Sequence, residues 1–60
     1  GAAYAWQPHM VSARDHLNVA QNELQAAEAD KGGHRAIALD LVNRAIDQVN
    51  QGIEFFDQHH

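Results

Sequence analysis

From Met10 to Phe56 apolar residues recur in steps of three and four, the spacing that places them along one side of an α-helix. In the first stretch Met10, Leu17 and Leu24 alternate with Ala13, Ala20 and Ala27, and in the second Val42, Val49 and Phe56 alternate with Ala38, Ala45 and Gly52. Small residues let two backbones approach, and large ones fill the gaps between them. The segment Lys31-Gly32-Gly33-His34-Arg35 separates the two stretches, and either glycine suits the left-handed conformation that ends a helix. The pattern predicts an all-α, two-helix antiparallel hairpin. Helix 1 is expected over about 8–30, because Pro8 is a good first helical residue, and helix 2 over about 34–57. Residues 1–7 and 58–60 then form tails to a single 8–57 hairpin.

The second helix carries more apolar surface than one partner covers. Beside its two heptad rows lies a third, Leu39, Ile46 and Ile53, and Ile37 and Leu41 widen the surface near the turn. Burying one such side chain is worth about 1.5–3 kcal/mol, a large share of the stability of a small domain. These five residues are the expected oligomer interface, and two-fold pairing of hairpins into a four-helix bundle is the simplest closed solution. Setting each large residue against a small one pairs Leu24 with Ala38, Leu17 with Ala45 and Met10 with Gly52, which puts Trp6 opposite Phe56.

Composition adds to the case for assembly. A chain of 60 residues buries only about 60% of the surface its unfolded form exposes. With no cysteine there is no disulfide, and no spacing suggests a four-ligand zinc site, so a homodimer is the remaining support. The net charge of −4, with only four basic residues, argues against a nucleic-acid partner. No apolar run approaches the roughly 20 residues of a transmembrane helix.

Candidate chemistry is sparse, and no cofactor is predicted. Five histidines invite a metal, but His9 and His16 lie seven residues apart, about 10 Å along a helix and too far to share one ion. The open end of the hairpin gathers His9, Asp57, His59 and His60, the candidate metal ligands. At the other end Lys31, Gly32, Gly33, His34 and Arg35 precede the first N–H groups of helix 2, a candidate anion site at the positive end of the helix dipole. The competing reading is a tight turn in which Asp30 pairs with Lys31 or Arg35. No enzyme is expected. Ser12 is the only serine, cysteine and threonine are absent, and Asp40, Asp47 and Glu54 recur every seventh residue on a solvated side.

The run Asp30-Lys31-Gly32-Gly33-His34-Arg35, with Ala36-Ile37-x-Leu39, Ala45-Ile46-x-x-Val49 and Gly52-Ile53 after it, resembles a group of small exported bacterial proteins of uncharacterised function. The resemblance spans about His9 to Phe56, and its distinctive part is the turn. It implies a bacterial origin, a removed signal peptide and a periplasmic or secreted setting, and no activity. Ala3-Tyr4-Ala5 has the small-x-small form that signal peptidases accept, in keeping with that setting. The expected role is structural or protein-interacting, with ligand binding at the open end or the turn as the alternative.

Overall fold

A computed structural model describes residues 2–30 and 32–59, with side chains described for 8–30 and 32–58. Two helices account for almost all of it, α1 over Ala2–Ala26 and α2 over His34–His59, packed against each other with no strand among the described residues. The chain is an all-helical hairpin about one helix long, 46 × 15 × 13 Å.

Both ends of α1 differ from expectation. It starts at Ala2, so Pro8 lies inside it, although proline lacks the N–H that would bond the carbonyl four residues back. An alanine-rich lead favours helix strongly enough to continue through it. The helix ends at Ala26, with a last bond from the Ala27 N–H to the Glu23 carbonyl at 3.0 Å, four residues short of Asp30. Residues 27–30 are released because Asp30 is needed elsewhere, as the turn shows. Helix α2 starts at His34 as expected and runs two residues beyond Asp57.

Packing departs from the heptad reading in one respect that matters. Among the described side chains of α1 the half-buried ones are Met10, Leu17 and Leu24 together with Val11, Arg14, Ala20 and Gln21, whereas Ala13, and Ala27 just past the helix end, are exposed. The helix is thus turned so that the Arg14/Gln21 flank faces inward and the alanine row lies at the edge of the seam. In α2 all three rows, 38/45/52, 42/49/56 and 39/46/53, are half-buried. The Leu39/Ile46/Ile53 row is therefore partly covered within the hairpin. The half-buried Arg14 and Gln21 of α1 lie on its side of the seam, and stems of such side chains are suited to covering apolar surface.

A hydrogen bond fixes which flanks share a face. The Gln21 amide Nε2 donates to Asn43 Oδ1 at 2.6 Å, joining the two helices. Helical side chains lean toward the N-terminus of their own helix, so in an antiparallel pair Gln21 and Asn43 lean toward each other when Gln21 lies nearer the turn. The bond fits the Leu17–Ala45 register. It also puts Arg14, Gln21, Asn43 and the Leu39/Ile46/Ile53 row on one broad face. At about 100° per residue the opposite broad face takes the Ala13/Ala20/Ala27 row of α1 and the outer flank of α2. On that flank Ile37 is 56% exposed, Leu41 55% and Phe55 64%.

Candidate functional site

The turn carries three side chain–backbone hydrogen bonds, and it begins at Asp30. Its Oδ1 accepts the Arg35 N–H at 2.8 Å and its Oδ2 accepts the His34 N–H at 3.2 Å. These are two of the N–H groups at the start of α2 that have no partner within the helix. The residue in the N-cap position is Gly33, whose carbonyl accepts the Ile37 N–H at 3.2 Å and which has no side chain to cap with. Asp30 reaches forward to do it instead. A backbone bond from the Gly33 N–H to the Asp30 carbonyl, 3.1 Å, closes the turn that makes this reach possible.

The two glycines serve the turn differently. Gly33 has φ of +75°, in the left-handed region where side chains are strained, although a Cβ there would meet nothing within 4 Å. Gly32 has no such backbone, but a Cβ there would come within 2.8 Å of His34 Cδ2 and 3.4 Å of Asp30 Oδ2. Gly33 is set by its backbone conformation, whereas Gly32 makes room for a neighbouring ring.

Arg35 completes the exchange in the opposite direction. Its Nη1 donates to the Leu24 carbonyl at 3.3 Å, among the last carbonyls of α1 that the helix leaves without a partner. Its Nε is buried and makes no hydrogen bond. Each helix end is thus capped by a side chain from across the turn. The electrostatics agree, with an anion at the positive end of α2 and a cation at the negative end of α1. The Arg35 N–H, with that of His34 adding, holds the Asp30 carboxyl below its ordinary value of 3.8 against a smaller opposing effect of desolvation.

This arrangement bears on the anion site expected at Lys31, Gly32, Gly33, His34 and Arg35. Asp30 already occupies the N–H groups of His34 and Arg35, so an external anion at those groups has to displace a carboxylate. The Arg35 guanidinium points at Leu24 rather than outward. Lys31 lies outside the described residues. The sequence reading missed the cap, whose signal was an aspartate four residues before the helix start.

The open end brings less together. His9 and Asp57 are exposed, the His59 side chain and His60 lie outside the described residues, and so does the Trp6 side chain expected opposite Phe56. Among the described residues no three His, Cys, Asp or Glu gather as metal ligands would. Elsewhere His16 Nδ1 donates to the Ser12 carbonyl at 2.7 Å, a bond within one turn of α1, and Ser12, Asp40, Asp47 and Glu54 are exposed. A depression on α2 between Gln51, Glu54, Phe55 and Gln58 is open and formed by a single helix.

Fold and turn together define a small helical hairpin closed by reciprocal side-chain caps. Comparison with protein families, characterised proteins and solved structures gives no match. Neither helix is long and apolar enough to cross a membrane among the described residues.

Proposed function

We propose that this chain is a non-enzymatic building block, a hairpin that pairs with a second copy into a four-helix bundle and serves a structural or protein-interaction role. The observation that carries the reading is that no side chain among the described residues, apolar or polar, is fully buried. A compact monomer of 6.6 kDa exposes about 3,900 Å², whereas this hairpin exposes 4574 Å². The surplus of roughly 700 Å² is close to the ~800 Å² that each partner buries in a standard interface. Its radius of gyration, 14.1 Å, likewise exceeds the roughly 10 Å of a compact chain of this length. Half-buried rows on both helices form one layer of a core, and a second hairpin supplies the other layer.

Sedimentation equilibrium of the purified chain tests the assembly. The expected mass is twice 6.6 kDa, with helix content and melting temperature rising together with concentration. A single 6.6 kDa species that melts at the same temperature across a hundredfold concentration range refutes it.

A further inference from the structure

Granting that the chain pairs with itself, we infer that the pairing surface is the face edged by Ile37, Leu41 and Phe55, opposite the Leu39/Ile46/Ile53 row, and that α2 meets its copy antiparallel about a two-fold axis that crosses the 37–55 stripe midway along it, between Arg44 and Gln48. The exposed apolar side chains lead to this face. Of the four large apolar side chains exposed among the described residues, Ile37, Leu41 and Phe55 share this flank, and Val19 lies elsewhere, on the far side of α1. The other broad face is polar, carrying Arg14, Gln21 and Asn43, and its apolar row is already half-buried. On the chosen face the ridge stands beside the Ala13/Ala20/Ala27 row, where small side chains leave room for large ones from a partner.

The occupant follows from the spacing of that flank. Its positions are 37, 41, 44, 48, 51 and 55, separated by steps of 4, 3, 4, 3 and 4. The steps read the same in both directions, so an antiparallel copy of the helix presents the same stripe in register, the self-complementarity a two-fold interface requires. Ile37 then meets Phe55 of the second copy at both ends, Leu41 meets the stem of Gln51, and Arg44 meets Gln48. The only charge on the stripe is Arg44, already paired with Asp40 at 2.9 Å in its own helix. Because it faces Gln48 and not itself, the axis brings no like charges together. The stripe runs about 27 Å at 1.5 Å per residue, long enough to take up the surplus surface.

The test combines charge insertion with cross-linking in the full chain, whose lack of cysteine makes single-cysteine variants clean. Leu41→Glu, on an exposed position, should leave the helical circular dichroism in place and weaken dimerisation a hundredfold or more, since each interface loses two apolar side chains (roughly, from the worth of burying one). Asn50→Glu, exposed on the other side of α2, should leave the dimer unchanged. Gln48→Cys should join to its copy with a short bismaleimide, and Asn50→Cys should not. If the wild-type chain dimerises while Leu41→Glu has no effect, or if Asn50→Cys cross-links in place of Gln48→Cys, this face is wrong and the assembly stands. A monomeric wild-type chain overturns the assembly, and the face with it, leaving a different protein as the occupant.

Discussion

Replacing each turn glycine by alanine should separate two effects that the sequence leaves indistinguishable. At Gly33 an added Cβ has open space, so packing changes nothing and only the backbone counts. A left-handed conformation costs an L-residue about 1–2 kcal/mol, while alanine in place of glycine restricts the unfolded chain by about 0.4–1 kcal/mol in favour of folding. The net for Gly33→Ala is a loss of about 1 kcal/mol, seen as a melting temperature lower by roughly 4–8 °C in a domain this small. At Gly32 the backbone is not left-handed, and the unfolded-state gain is opposed mainly by the approach to the His34 ring, 2.8 Å to Cδ2. That atom belongs to the ring of an exposed side chain, which can turn aside, so Gly32→Ala should fall within about 0.5 kcal/mol of wild type. Urea or thermal unfolding followed by circular dichroism at one fixed protein concentration measures both, the concentration being held because assembly adds to apparent stability. The Gly32→Ala/His34→Ala chain adds a control, since removal of the ring should recover whatever Gly32→Ala loses relative to His34→Ala. The reasoning fails if Gly32→Ala costs as much as Gly33→Ala, or if its loss persists without the ring.

Two other contacts give independent checks. Because N–H groups of α2 favour the charged form of Asp30, its folded pKa lies below its unfolded one; the stability it contributes is fully present above pH 3.8 and is lost as pH falls through the lowered value. Amide exchange at His34 and Arg35 should accelerate in that acid range and in Asp30→Ala at neutral pH, and unchanged protection in the variant would remove Asp30 from the cap. The Gln21–Asn43 bond should give a coupling of about 0.5–1 kcal/mol in a double-mutant cycle with alanine, and additive single losses would mean that the two side chains stay apart in solution.

The hairpin was legible because a 3-4 apolar rhythm broken by two glycines admits few other folds, and α2 begins at the residue the turn predicts. The rotation of α1 was not. A heptad lists which residues are apolar, and it treats Ala13, Ala20 and Ala27 as a seam because alanine is small and nonpolar. Alanine gains little from burial, however, whereas Arg14 and Gln21 can lay their stems over Ile46 and its neighbours and still hydrogen-bond, as Gln21 does to Asn43. A pattern of residue types cannot weigh a weakly apolar row against long amphipathic ones. The end of α1 was hidden for a related reason: nothing in the periodicity opposes helix through Asp30, and only the need to cap α2 draws that residue out.

The same rotation changes what the alanine repeat means. Were the row at the centre of the seam, as its spacing suggests, the hairpin would be closed on itself and Leu39, Ile46 and Ile53 would stand out in water. In the structure the relation is reversed: that row is half-buried, Ala13 and Ala27 are exposed, and three of the four large apolar side chains exposed among the described residues lie on the alanine side. A row of small residues bordered by exposed large ones is a surface shaped to receive a helix. The seven-residue repeat, which reads in sequence as the contact between the two arms, is in three dimensions better placed for contact between two hairpins. The proposed pairing with a second copy would give the repeat a use that the hairpin alone, which half-buries only Ala20 of the three, does not.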